Sequence, residues 1–318
     1  MTYPSERPTL LNKKTVAIAF AALIILLGIL FVGRWLFGEL ALGLVLVVGF
    51  GILMAIALES YYRLYDLNYR QSEQIQALLE QHDRRQKDYQ QIEALFSLIP
   101  LLNLRHPLPS MRDWAASPDF LALIVSLIRE HRPQLVVEAS SGVSTLVSAY
   151  SLEAISLEAM RLAAIADSTT QTQVISLEHE SEYAIRNRNQ IEQHGLQAIA
   201  KILDAPLETV SINQQEWFWY RRLELASLMQ NTEKRIELLI IDGPPKDTQK
   251  LARYPALPLL WEWLSDEAIV LLDDADREDE REIVRRWQQE YSGKCRIDAQ
   301  WIATEKGACI LRIKKLSS

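Results

Sequence analysis

From Thr15 to Gly33, and again from Leu40 to Leu58, no residue carries a charge. Each run is long enough to cross a hydrocarbon layer as a helix, at about 1.5 Å per residue over roughly 30 Å. In lipid no other form suits a single run, because backbone N–H and C=O groups find no water there and must pair within their own segment. The connection Arg34-Trp-Leu-Phe-Gly-Glu39 is short, carries both charges and holds aromatics suited to an interface. We therefore expect a helical hairpin over residues 15–58 that spans a membrane twice. Arg7, Lys13 and Lys14 precede it, and Arg63, Arg70, Arg84, Arg85 and Lys87 follow, against Arg34 alone in the loop. By the positive-inside rule both chain ends then face the cytoplasm, across the inner membrane. A signal peptide competes for the first run, but that run is long for an h-region, lacks a small-residue cleavage site and leads at once into a second span.

Between Glu59 and Ile99 there is neither Gly nor Pro, and Gln, Glu, Arg and Leu dominate, which predicts one long helix. Ile75, Leu78, His82, Arg85, Tyr89, Ile92, Phe96 and Ile99 follow a 3-4 spacing broken by His82 and Arg85. That pattern suits a short dimerising coiled coil or a solvated stalk that packs on the domain at its end. The chain thus divides into a tail (1–14), a hairpin (15–58), a stalk (59–105) and a domain (106–318). A net charge of -7 argues against a general nucleic-acid binder, since phosphate affinity needs a basic surface. Cys295 and Cys309 make no metal-ligand spacing and read as reduced core residues.

In the domain, Ser117-Pro-Asp119 reads as a helix start, the spacing of Leu121, Ile124, Leu127 and Ile128 carries the helix to His131, and Pro133 stops it. Leu135-Val-Val-Glu-Ala-Ser-Ser-Gly-Val-Ser-Thr-Leu146 follows as strand, tight turn and helix, the helix starting at about Ser144 and ending near Asp167. Gly142 and the serines matter there for their lack of bulk, because such a turn brings backbone close to a ligand. Further strands are predicted at Val174–Glu178, Ala198–Asp204, Glu237–Asp242 and Ala268–Asp273, with a helix from Glu182 to His194 closed by Gly195. Trp217-Phe-Trp-Tyr220 is an aromatic segment before another helix. Strands alternating with helices indicate a parallel sheet covered on both faces. Cys295–Ile302 and Ala308–Lys314 read instead as a terminal antiparallel hairpin.

This chain order resembles the class I S-adenosylmethionine-dependent methyltransferases. Trp114-Ala-Ala-Ser-Pro-Asp-Phe120, Glu138 to Leu146, Ile241-Asp-Gly-Pro-Pro245, Ala252-Arg-Tyr-Pro-Ala-Leu-Pro-Leu-Leu260 and Leu272-Asp-Asp-Ala-Asp-Arg277 resemble a bacterial subfamily of that fold, over roughly His106 to Lys314. The resemblance implies an α/β, Rossmann-like sheet of seven strands in the order 3-2-1-4-5-7-6, with strand seven antiparallel. It implies S-adenosylmethionine as cofactor, with Glu178 on the ribose, Glu138 below the amino-acid end and Asp204 near adenine. Ser140, Gly142 and Ser144 stand where the family pattern has Gly-x-Gly-x-Gly, so one glycine of three remains.

Asp242, Asp273 and Asp274 fall at the ends of neighbouring strands, and three crowded carboxylates repel unless protonated or bridged by a cation. Similar positions in catechol-type O-methyltransferases hold a divalent metal, for which oxygen ligands suit Mg²⁺ or Mn²⁺, although that family has Asn where this chain has Asp274. Asp242 is the first candidate for catalytic base or metal ligand, and His179 the second. Trp217, Trp219 and Tyr220 form a substrate wall, or they are core or membrane-facing aromatics. The expected activity is methylation, at the membrane, of a small hydroxylated acceptor, saccharide or lipid-linked. The alternative, motivated by Ser140, is a degenerate domain that serves as a non-catalytic membrane scaffold. A dinucleotide oxidoreductase is disfavoured by the terminal hairpin.

Overall fold

The computed structural model describes residues 13–111, 115–163 and 172–316. The 1–12 part of the tail, Trp114 of the first quoted motif and the helix end near Asp167 lie outside the described residues. The chain forms two compact units, Met1–His82 and Asp83–Ser318.

Helix α1 (Lys13–Leu98), most of which belongs to the first unit, is interrupted at Gly38, where φ 74° and ψ -166° leave the helical region. Glycine, without a Cβ, takes that backbone freely. Leu26 Cδ1 lies 3.8 Å from where a Cβ on Gly49 would stand. Along an unbroken helix those residues would be ~34 Å apart. The chain therefore turns back at Gly38 and the two arms lie side by side, within the connection that the charge pattern marks. Among the described residues, one helix, Gly43–Leu101, is long and apolar enough to cross a membrane, and the first arm contributes a shorter apolar stretch, Phe20–Leu36. The character of α1 changes at Glu59, after which exposed i,i+4 ion pairs appear at Arg63–Glu59, Arg70–Asp66 and Lys87–Asp83.

The second unit is built on α2 (Pro118–His131), β1 (Leu135–Ala139), α3 (Val143–Ala163), β2 (Gln173–Glu178), α4 (Ser181–Gln193), β3 (Ala200–Asp204), β4 (Leu207–Ile212) and β5 (Gln215–Tyr220). It continues with α5 (Leu223–Gln230), β6 (Ile236–Ile241), α6 (Ala256–Leu260), β7 (Leu264–Asp273), α7 (Glu278–Glu290), β8 (Cys295–Ile302) and β9 (Ala308–Lys315). Seven strands form one sheet in the order β3-β2-β1-β6-β7-β9-β8. β1, β2, β3, β6 and β7 are parallel, and β9 runs antiparallel to both β7 and β8. Counted without the separate β4–β5 hairpin, this is the expected 3-2-1-4-5-7-6. That hairpin corrects the sequence reading of Trp217–Tyr220, which pairs as a strand with Leu207–Val210.

Both faces of the sheet are covered, as its nearly continuous apolar strands require. Val136, Val174, Leu238 and Ile240 face a layer made by α2, α3 and α4. Val137, Ile175, Leu239 and Ile241 face the opposite layer, where Trp217, Trp219 and Tyr220 of the hairpin pack with α5, α6 and α7. The hairpin aromatics are therefore core. Both cysteines are free and buried, as expected.

Asp119 ties three parts of the unit together. Its Oδ1 accepts from Ser117 Oγ at 2.6 Å and the Phe120 amide at 2.8 Å, and its Oδ2 accepts from Gln91 Nε2 at 2.9 Å and the Glu305 amide at 2.7 Å. The carboxylate thus caps the start of α2 while holding the end of α1 and the β8–β9 turn. Replacing it by alanine strands two backbone donors and two side chains. Asp119→Ala should lower unfolding stability by about 2–3 kcal/mol, measured by urea denaturation, and a loss below about 0.5 kcal/mol would show that water replaces the carboxylate at no cost.

Candidate functional site

Five parallel strands end at one edge of the sheet, and β1 and β6 are neighbours whose following connections leave in opposite directions. In open α/β sheets the crevice outside such a pair is where ligands settle. The residues at that edge are Glu138 and Ala139 of β1, Glu178 of β2, Asp204 of β3, Asp242 after β6, and Asp273 and Asp274 at the end of β7.

Glu138 is fully buried and faces Ser176 across the β1–β2 pairing. Its carboxylate accepts from Ser144 Oγ, from Thr145 Oγ1 at 2.6 Å and from Ser176 Oγ at 2.7 Å. Burial nevertheless pushes its pKa up, against those hydrogen bonds. Thr145 Oγ1 also accepts from the Gly142 amide at 3.1 Å, so the carboxylate, the hydroxyls and the turn form one network. Ser144 is committed to Glu138. Thr145 and Ser176, absent from the sequence reading, complete the set.

The turn itself keeps a glycine-like backbone. Ser140 has φ 147° and Gly142 φ 158°. A Cβ on Gly142 would meet nothing within 4 Å, so what glycine provides there is conformation. Ser140 adopts the same region with a side chain, and the cost of such a position is about 1–3 kcal/mol.

Glu178 is 5% exposed. It accepts from Ser141 Oγ at 2.6 Å and the Glu180 amide at 3.1 Å, and His179 Nδ1 lies 3.1 Å away. Burial alone would raise its pKa, but these donors outweigh it and hold the carboxylate below its ordinary range. Asn187 in turn donates to Ser141 Oγ at 2.7 Å. His179 Nε2 lies 3.8 Å from Glu180, and Nδ1, though close to Glu178, makes no well-directed hydrogen bond among the described residues. Asp204 pairs in register with Glu178 and accepts from Ser181 Oγ at 3.1 Å, at the start of α4.

Asp242, Asp273 and Asp274 converge as their sequence positions imply, offering ligand oxygens within 4.8 Å of one another. Among them lies Arg253, itself buried. Its Nη2 is 2.5 Å from Asp274 Oδ2 and 3.3 Å from Asp242 Oδ1, its Nη1 donates to the Asp273 carbonyl at 2.7 Å, and its Nε is 3.9 Å from Glu280. Arg277 reaches Asp274 at 2.8 Å and Glu280 at 3.7 Å. Four carboxylates thus face two guanidiniums. Burial and this excess of negative charge raise Asp242 to about 6 and Asp273 well above the carboxylate range. Both Asp273 oxygens are buried without a hydrogen-bond partner among the described residues. The positive charge that Mg²⁺ or Mn²⁺ would bring is already supplied by Arg253, so the donor set fits a guanidinium better than a metal. Arg253 and Glu280 carried no role in the sequence reading. An arginine inside the apolar run Leu251-Ala-Arg-Tyr-Pro-Ala-Leu257 is the signal that marks a buried, paired charge.

No family model matches the chain, and no curated protein matches it either. Similar solved structures include an O-methyltransferase from Bacillus cereus in complex with SAH, at 15% identity and a TM-score of 0.44, over 72% of this chain and 92% of that one. They also include the SAH-bound Podospora anserina methyltransferase PaMTH1, at 14% identity and 0.43, over 70% and 87%. A third is the O-methyltransferase TomG from Streptomyces achromogenes in complex with SAM, at 12% identity and 0.43, over 65% and 83%.

Ser140 gives a direct test of the turn. Ser140→Gly removes the strained side chain, and the gain exceeds the extra chain entropy of glycine by about 1 kcal/mol. Ser140→Ala should give no such gain, because a Cβ remains. Equal stabilities of the two variants in urea unfolding would show that the turn carries no strain.

Proposed function

We propose that the chain is a membrane-anchored S-adenosylmethionine-dependent methyltransferase that O-methylates a small hydroxylated acceptor, saccharide or lipid-linked. The observation that carries this reading is the pairing of two features at the switch point of a 3-2-1-4-5-7-6 sheet. A turn after β1 holds glycine-like backbone at Ser140 and Gly142, and an acid closes β2 at Glu178. The antiparallel β9 sets this sheet apart from a dinucleotide fold built of two parallel halves.

Glu178 would hold the ribose hydroxyls, the 140–142 backbone would meet the amino-acid end, and Asp204 would lie on the adenine side. When bound, the cofactor supplies an activated methyl group on a sulfonium. The protein's part is to hold the acceptor in line and remove its proton. Asp242 suits the second task. Its side chain is 15% exposed, against 6% for Asp274 and 5% for Glu280, and a pKa of about 6 leaves it ionised but basic at neutral pH. His179, whose Nδ1 lies 3.1 Å from Glu178, is the second candidate for the base. The hairpin at Gly38, its apolar arms and the cationic flanks support two spans with both ends cytoplasmic. The tether is the ground for a lipid-linked acceptor, and the 3-4 spacing of the stalk supports a homodimer through it.

A second reading, a non-catalytic scaffold, is favoured by one contact: Ser141 Oγ already donates to Glu178 where a ribose hydroxyl would. Titration of the full chain in detergent with S-adenosylmethionine decides between them. We expect saturable binding, weakened at least about tenfold in Glu178→Ala, the worth of a charge-assisted hydrogen bond. Lack of binding at millimolar cofactor would overturn the enzyme reading.

A further inference from the structure

Tyr220, the last residue of β5, is fully buried in the layer that holds α5, α6 and α7. Its hydroxyl, also enclosed, lies against Gly243, at the end of β6. A Cβ built on Gly243, directly after Asp242, would stand 2.2 Å from Tyr220 Oη and 3.1 Å from the Ala139 carbonyl. Oη thus sits over the gap between the C-terminal ends of β1 and β6, a place left free by the missing side chain of Gly243. The ring meets His179 edge-on, with centroids 5.8 Å apart, so the phenol lies between the Glu178 end of the crevice and the Asp242 end.

This hydroxyl has no hydrogen-bond partner among the described residues. Buried tyrosine hydroxyls usually have one, and leaving a donor unpaired costs free energy that a phenylalanine at the same place would avoid. Burial, with Glu178 and Asp242 nearby, raises its pKa well above the ordinary phenol value, so the proton stays on the oxygen. Oη therefore stands ready as a neutral donor.

We propose that Tyr220 is a ligand-binding residue whose hydroxyl donates to an oxygen of the nucleoside cofactor in the β1–β6 crevice. This rests on the methyltransferase reading given above. It assigns the β4–β5 hairpin a purpose: the hairpin carries a donor to Gly243, at the end of β6. It also explains Gly243 as the residue that makes room for Oη.

The test uses the full chain in detergent, with S-adenosylhomocysteine titrated by calorimetry into wild type, Tyr220→Phe and Gly243→Ala. Wild type should bind, and Tyr220→Phe should bind about tenfold more weakly, the loss of one hydrogen bond. Its ligand-free melting temperature should equal or exceed that of wild type, because an unpaired hydroxyl has been removed. Gly243→Ala, which displaces an intact hydroxyl, should weaken binding to a similar extent. Unchanged affinity in Tyr220→Phe overturns the proposal while leaving the methyltransferase reading in place. A ligand-free melting temperature several degrees below wild type also overturns it, since the hydroxyl would then have a protein partner. If wild type does not bind, both readings fall.

Discussion

A carboxylate removed from water must be surrounded by donors, paired with a cation, or protonated. The edge of this sheet is arranged by that requirement. Parallel strands bring their C-terminal ends together, and four of those ends carry acids that the flanking layers bury. Each is answered differently. Glu138 is met by three hydroxyls, Glu178 by a hydroxyl, an amide and an imidazole, and the Asp242, Asp273 and Asp274 group by two guanidiniums. Hydroxyl donors leave Glu138 as a structural post under the turn. Mixed donors keep Glu178 ionised. Burial, and then the negative charge that two cations among four acids leave over, make Asp242 and Asp273 hold protons more tightly than free aspartates.

The same compensation fixes the connections. Arg253 lies in the approach to α6 and must turn inward to reach the ends of β6 and β7, and its bonds to the Asp242 and Asp273 carbonyls place the 243–255 segment against the crevice. Asp279 then accepts from the Leu251 amide at 3.0 Å, so the start of α7 is tied to that segment rather than only capping itself. One buried arginine thus organises a loop, two strand ends and a helix. Losing it would leave several charges unpaired at once, which is far more costly than the loss of a surface pair.

The sheet strands and the terminal hairpin were legible because their signals are local, apolar runs bounded by turn residues and acids at their ends, whereas their order in the sheet came from the family resemblance. The β4–β5 hairpin was not. Its strand Gln215–Tyr220 alternates in burial, with Trp217 and Trp219 inside and Phe218 outward, yet all three are aromatic, so the alternation is invisible in the residue types. Its turn adds little signal, since Asn213 and Gln214 both take positive φ without the glycine that usually announces such a turn. The carboxylate cluster was half legible. Strand position brings the acids together, whereas the arginine that answers them comes from a loop, and nothing in its spacing says where it points. Tyr220 read as substrate wall, core or membrane-facing aromatic, and it is buried in the core. What the sequence could not tell is that its hydroxyl lies against Gly243 at the end of β6.

These contacts change the meaning of the altered glycine pattern after β1. Read along the chain, Ser140 and Ser144 are two departures from Gly-x-Gly-x-Gly and suggest erosion. In space they differ. Ser144 supplies a donor to Glu138 that glycine could not, and Ser141 does the same for Glu178, with Asn187 supporting it. Had the turn simply lost its purpose, nothing would keep its backbone at φ 147° and 158°, a conformation unfavourable for one of the two residues that adopt it. The hydroxyls stabilise the acids and the acids hold the turn, so the strain at Ser140 is retained by a buried network around Glu138 and Glu178. Strain is held in this way where the surrounding structure over-determines a backbone, and here the buried acids and their hydroxyl donors do so.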